Sequence, residues 1–269
     1  MHLFCFGLGF SGQTLARRLT AKGWTVTGTS RAGGDGTLAF DGSTPLPESA
    51  FDGVTHLLIS VPPGAHGDPV LAAHADDLRR RARQLHWAGY LSTTGVYGDR
   101  HGDWVDETSP LAPSTERGHR RLAAETHWQS LGLPLHIFRL AGIYGPGRNQ
   151  LVSILDGTAK RIVKEGQIFS RIHVEDIAGG LEASIARPDP GRAYNVCDDE
   201  PCPPQEVVAF AAQLLKRAAP PEIAFEAADL SAMAKSFYAE SKRVSNKRIK
   251  EELGYRLLYP TYREGLSAL

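Results

Sequence analysis

Leu3-Phe4-Cys5-Phe6-Gly7-Leu8-Gly9-Phe10-Ser11-Gly12 carries the reading of the fold. Four apolar residues in a row suit a strand buried on both faces of a parallel sheet. Ser11 then opens a helical pattern, with Leu15, Ala16 and Leu19 on one face and Arg17, Arg18 and Lys22 elsewhere, closed by Gly23. Between strand and helix the glycines fall as GxGxxG, and in that context each has a physical task. Gly7 permits the tight turn, Gly9 lets a pyrophosphate approach the backbone, and Gly12 lets helix and strand pack closely. The backbone of Gly7, Leu8, Gly9, Phe10, Ser11 and Gly12 then offers N–H groups to the anion at the helix start. A tight turn with no ligand is the competing reading of the same residues.

Outward from this stretch, strand and helix patterns alternate. Trp24 to Thr29 reads as a second strand, a Gly-rich turn follows from Arg31 to Gly36, and a weak third strand lies near Leu38-Ala39-Phe40. His56 to Val61 is a fourth strand, stopped by Pro62-Pro63-Gly64, and Pro69 to Trp87 has the spacing of one long helix. Tyr90 to Thr94, a helix over Thr115 to Leu131, and Leu135 to Leu140 complete the series. The alternation predicts an α/β fold, a doubly wound parallel Rossmann sheet with right-handed crossovers. Residues 1–148 are read as the dinucleotide-binding domain. Residues 149–269 are read as a smaller mixed substrate-binding lobe, from which about 193–196 could extend the sheet. Ligands of such folds bind in the crevice between sheet and lobe.

Composition narrows the function. Over 269 residues, Lys+Arg 30 balances Asp+Glu 30 and 42% are hydrophobic. The formal charge is zero, which argues against a nucleic-acid stripe or a polybasic membrane patch. Cys5, Cys197 and Cys202 form no CxxC pair, so neither a disulfide framework nor a metal site is expected. The short run Leu3 to Phe6 is too brief for a signal peptide or a span, and a cytoplasmic protein acting on a small molecule is expected. Where an acid usually ends the second strand of a dinucleotide site, this chain has Ser30-Arg31. A hydroxyl beside a guanidinium suits a 2′-phosphate and favours NADP, while Asp35 nearby leaves NAD open.

Gly95-Val96-Tyr97-Gly98 after Leu91-Ser92-Thr93-Thr94, and Arg139 through Arg148 (RLAGIYGPGR), resemble the extended short-chain dehydrogenase/reductases, the NAD(P)-dependent epimerases and dehydratases. Arg171 through Ala178 (RIHVEDIA), Tyr194 through Pro201 (YNVCDDEP) and the ending Asn246-Lys247-Arg248-Ile249 are similar too, so the resemblance spans nearly the whole chain. It implies that Thr93 is the catalytic hydroxyl and that Asp41 contacts adenine. It further implies that Ser60, Val61 and Pro62 line the coenzyme ribose, that Arg148 and His173 touch substrate, and that two copies pair as a homodimer.

The pattern departs from the family at its main catalytic element. Aligning Leu122-Ala123-Ala124-Glu125 with the family helix places Arg117 and Arg121 where Tyr-x-x-x-Lys is expected. Four residues apart, they share a helix face, but a guanidinium cannot relay a proton. They would instead clamp an anion or stabilise developing negative charge. Tyr97 and Tyr144 are the nearest phenols by sequence, each more readily read as structural. Two functions follow from an atypical branch of this kind. One is an NADP-dependent reductase or epimerase on a small polar or nucleotide-sugar-type substrate, without the usual relay. The other is a non-catalytic dinucleotide-sensing regulator.

Overall fold

A computed structural model describes residues 1–269. In chain order the first part comprises β1 (His2–Phe6), α1 (Phe10–Thr20), β2 (Thr25–Ser30), β3 (Leu38–Ala39), β4 (His56–Ile59), α2 (Pro69–Arg81), β5 (Trp87–Thr93), β6 (Trp104–Val105), α3 (Glu116–Gln129) and β7 (Leu135–Leu140). Then follow β8 (Gly142–Tyr144), α4 (Gln150–Leu155), β9 (Arg161–Val163), β10 (Arg171–His173), α5 (Val174–Ala186) and β11 (Ala193–Val196). The chain ends with α6 (Pro204–Leu214), β12 (Glu222–Ala224), α7 (Ala232–Tyr238), β13 (Arg243–Val244), α8 (Lys247–Leu253) and α9 (Tyr262–Ser267).

Seven strands form one sheet in the order β11-β7-β5-β4-β1-β2-β3, all pairs parallel. The doubly wound α/β architecture is therefore as the sequence predicts. β1 shows why an unbroken apolar run is required at its centre. Leu3 and Cys5 project into one core with α1, α5 and α8, while Phe4 and Phe6 project into the other with α2 and α3. Alternating side chains serve opposite faces, and both faces are dry. Ala193 to Val196 joins the sheet beside β7, and α5 lies against α1, tied by Arg18–Glu182 and Lys22–Glu182 pairs at 2.6 Å. The smaller two-stranded ribbons β8–β10, β9–β12 and β6–β13 build the material above the C-terminal ends of the strands. No helix is long and apolar enough to cross a membrane.

The structure differs from the sequence reading after α2. The expected helix over Pro69 to Trp87 stops at Arg81, a short 3-10 turn spans Ala82–Gln84, and Trp87 begins β5. Its ring is fully buried, its indole N–H donates to Ser184 Oγ at 3.0 Å, and Gly89 leaves the room it occupies. Tertiary burial of one large side chain overrides the helical spacing of Ala82 and Leu85.

Candidate functional site

The turn between β1 and α1 has the form its glycines require. Gly7 adopts φ +85°, and a Cβ there would come within 2.9 Å of Val61 Cγ2. A Cβ on Gly12 would meet Cys5 Sγ at 3.0 Å, so the third glycine sets the helix-to-strand distance. Gly9 is different: a Cβ there would touch nothing within 4 Å, and the space above it is open. Gly9 also caps α1 without a side chain, leaving the first N–H groups of the helix available. Leu8 N donates to Thr29 O at 2.7 Å and Gly7 N to Thr29 Oγ1 at 2.9 Å, which locks the turn to β2. A backbone cradle facing unfilled space at an uncapped helix start fits the diphosphate of a dinucleotide.

At the far edge of the sheet, Ser30 Oγ bonds Thr37 Oγ1 at 2.8 Å, while Arg31 and Asp35 are exposed on the turn between β2 and β3. Arg31 makes no ion pair and no hydrogen bond, so its guanidinium is uncommitted. Asp41 is also exposed. Its Oδ1 accepts from Ser43 Oγ at 2.6 Å and Ser43 N at 2.9 Å, which holds the carboxyl below its usual range.

A cavity of about 770 Å³ runs from Ser11 at the start of α1 across the ends of β4, β5 and β7. Ser11, Ser60, Pro62, Thr93, Arg117 and Arg121 line it, and so does Arg148 from the loop after β8. Seven of the sequence-predicted residues thus share one space, while Gly7, Leu8, Gly9, Phe10, Gly12, Ser30, Arg31, Asp41 and Val61 lie outside its lining. Thr93 is half-buried at the end of β5, where its Oγ1 accepts from Gly95 N at 3.2 Å and keeps its own proton free to donate. Arg121 reaches back to Leu91 O at 2.8 Å and Tyr90 Oη at 3.2 Å, anchoring α3 to β5. Arg117 lies 4.3 Å over the Phe237 ring, and partial burial lowers its pKa from the ordinary arginine value. Arg148 lies 5.9 Å from the Phe10 ring, beside the glycine turn.

His173 is placed elsewhere. It is 1% exposed, its Nδ1 accepts from Glu175 N at 3.2 Å, and its ring is packed between Tyr144 and Tyr259. It caps α5 and does not line the cavity, in contrast to the substrate contact that the family resemblance implies. The two phenols named from sequence are likewise committed. Tyr97 donates to Asn195 Oδ1 at 2.7 Å and accepts from Arg139 at 3.0 Å, and burial pushes it up to about 12. Tyr144 lines the cavity, but its hydroxyl is directed to Thr261 O at 3.5 Å and burial raises its pKa.

Three further lining residues have no signal in the sequence reading, Phe237 on α7 and Glu240 and Lys242 between α7 and β13, and Arg171 on β10, which opens the RIHVEDIA block, lines the cavity as well. The spacing Tyr238-x-x-x-Lys242 is present in the chain, yet it spans the end of α7 and the connector to β13 rather than one face of α3. Tyr238 ends α7 and packs against Phe169 and Phe225. In all, five cationic side chains surround the cavity against the single carboxylate of Glu240.

No family profile matches the chain. Protein YeeZ of Escherichia coli K12 is 31% identical over 212 residues, covering 71% of this chain and 75% of YeeZ. A dTDP-glucose 4,6-dehydratase of Streptomyces griseus is 30% identical over 119 residues, 39% of this chain and 36% of that protein. The solved structure of a functionally unknown conserved protein from Silicibacter pomeroyi superposes with TM-score 0.93 at 55% identity, covering 99% of this chain and 97% of that one. With the parallel sheet, the glycine cradle and these relatives, the chain belongs to the NAD(P)-dependent epimerase/dehydratase superfamily of short-chain-dehydrogenase-like proteins.

Proposed function

We propose that the protein binds NADP(H) along the Gly7–Gly12 turn and acts as a reductase or epimerase on a small, anionic, nucleotide-sugar-type substrate. The observation that carries this reading is the lining of the cavity: one space is bordered by Ser11 at the start of α1, by Thr93 at the end of β5 and by five cationic side chains. A cavity so charged attracts phosphate or carboxylate, and guanidinium groups hold such anions in fixed geometry. The Streptomyces griseus relative, by its name, acts on a sugar bearing a nucleoside diphosphate. In this reading residues up to 148 hold the coenzyme, while Arg171, Glu240 and Lys242 are contributed by the later chain.

Each residue's part follows from its position. The N–H groups of Phe10, Ser11 and Gly12 hold the diphosphate, and Ser60 and Pro62 border the ribose beyond it. Arg31 has the free charge to pair with a 2′-phosphate. Bound coenzyme supplies the hydride or accepts it. Thr93 donates its hydroxyl proton in a hydrogen bond to the substrate oxygen, and Arg117 and Arg121 stabilise negative charge developing there. No phenol stands on α3 to transfer the proton, since Arg117 and Arg121 occupy the face that overlooks the cavity.

NADPH oxidation across nucleotide sugars and small aldehydes and ketones tests the reading. Turnover that falls in Thr93→Val, with NADPH affinity unchanged, supports it. Tight NADPH binding without turnover on any member of the set favours the sensing reading instead.

A further inference from the structure

Lys242 is the only amine on the cavity wall. It reaches the cavity beside Glu240, both side chains about nine-tenths buried, with Nζ 2.6 Å from Glu240 Oε2. The other carboxylate oxygen accepts from Ser114 Oγ at 2.9 Å, which fixes the pair against the loop that leads into α3. A Cβ built on Gly95 would lie 3.5 Å from Thr93 Oγ1 and 4.0 Å from Glu240 Oε2. The Glu240–Lys242 pair therefore overlooks the turn that presents the Thr93 hydroxyl. Both residues ride on a short connector between α7 and β13, and Phe237, just before them, is covered by the Arg117 guanidinium.

Charge on a buried amine is costly, and here the opposing influences are visible. Burial disfavours the ammonium, Glu240 and more distantly Asp99 support it, and Arg100 repels it; burial prevails and holds Lys242 below the usual lysine range. The other four cations of the cavity are arginines, and a guanidinium does not exchange its proton as a general acid or base. A group that must give up and regain a proton works best when its pKa is brought toward the ambient pH. Of the cations present, Lys242 is the one amine, and its burial beside Glu240 moves it in that direction.

We propose that Lys242, paired with Glu240, is the proton-transferring residue of this cavity, in the role that Arg117 and Arg121 cannot fill. The proposal rests on the hydride-transfer reading above. In the reducing direction the substrate carbonyl carbon takes up the hydride and the C=O π pair moves onto oxygen. That oxygen gains a proton as an N–H bond of the Lys242 ammonium breaks. The neutral amine left beside the Glu240 carboxylate recovers a proton from water. In the oxidising direction the neutral amine accepts the substrate hydroxyl proton as hydride leaves the carbon.

Trace acetylation with acetic anhydride, followed by peptide mass spectrometry from about pH 6 to about pH 10, reads each lysine without any substrate. Lys242 is expected to titrate below the exposed lysines such as Lys247, to titrate lower still in Glu240→Gln, and to lose its labelling when NADPH is saturating. Lys242 labelling that follows Lys247 in its pH dependence, or that is indifferent to NADPH, overturns the proposal. Absence of NADPH binding by fluorescence in the same samples overturns the coenzyme reading instead, so the two failures are distinguishable. Lys242→Arg retains the charge and the contact with Glu240 but removes the transferable proton. With NADPH and 9,10-phenanthrenequinone as probe, its kcat is expected to fall about 100-fold at unchanged NADPH KM. Wild-type kcat in this variant overturns the proposal, and the labelling result decides by itself if the quinone is not reduced.

Discussion

Arg31 and Gly9 illustrate how much of the coenzyme reading depends on single residues that the rest of the chain leaves alone. Arg31 is exposed and has no protein partner, so its removal disturbs no packing. Arg31→Ala is expected to weaken NADPH binding about tenfold or more, the loss of one charge-assisted contact, while NADH binding stays within about twofold. Parallel fluorescence titrations measure both, and equal losses for the two coenzymes would remove Arg31 from the 2′-phosphate. At this scale the glycine roles were legible because each depends on local geometry alone: Gly7 at φ +85°, Gly12 against Cys5, Gly9 facing open space. His173 was not legible in the same way. A histidine before a helix-start pattern, followed by Glu175 and Asp176, can serve as an N-cap, and the ring's enclosure by Tyr144 and Tyr259 comes from distant parts of the chain.

Helix α2 shows what a single cap contributes to an element. Asp68 Oδ1 accepts from Val70 N at 2.9 Å and Leu71 N at 3.2 Å, and Oδ2 accepts from the Trp128 indole N–H on α3 at 2.8 Å. One carboxylate thus starts α2, with Pro69 in its first turn, and ties it to the neighbouring helix on the same face of the sheet. Asp68→Ala removes the cap and leaves a buried indole donor without an acceptor. A stability loss of about 2–4 kcal/mol is expected, read from the urea midpoint at unchanged slope. A loss below about 0.5 kcal/mol would show that the cap and the indole bond are dispensable. The start of α2 was legible from Pro69, and its end was not. Strand β7, in contrast, was legible over its full length because Leu135 to Leu140 is apolar enough to be buried on both faces. Its one cation, Arg139, is neutralised by Glu125 at 2.9 Å, a partner that periodicity cannot identify.

Across the whole molecule, the sheet places two cores back to back and sets the cavity at the strand ends, while buried acids fasten the later chain. Asp176 on α5 accepts from Tyr255 Oη at 2.8 Å, Leu258 N at 2.6 Å and Tyr259 N at 3.0 Å, so the segment leading to α9 is pinned to the sheet layer. Asp198, just after β11, is 1% exposed, and burial pushes its carboxyl up to about 8 despite the nearby Arg171. The unfolded carboxyl releases its proton near 3.8. Folding therefore takes up a proton at Asp198, a contribution complete below about 3.8 and lost as the pH rises toward 8. Asp198→Asn, which resembles the protonated acid, is expected to reduce the fall in Tm between about pH 5.5 and about pH 8. An unchanged pH profile would mean that Asp198 ionises normally in the fold. The six strands of the central sheet up to residue 140 were legible because local periodicity marks each of them, whereas the two-residue β6 outside that sheet was not. The cavity's far wall was not, because Arg171, Glu240 and Lys242 come together only through ribbons two or three residues long that carry no periodic signal. The central claim is that the open backbone at Gly9 receives a coenzyme diphosphate. Isothermal calorimetry with NADPH on the wild type and on Gly9→Ala tests it most directly, because a Cβ at Gly9 meets nothing within 4 Å in the chain and yet enters the space the diphosphate needs. The account predicts binding heat for the wild type and none for Gly9→Ala at an unchanged Tm; no heat with the wild type, or equal binding by both, would contradict it.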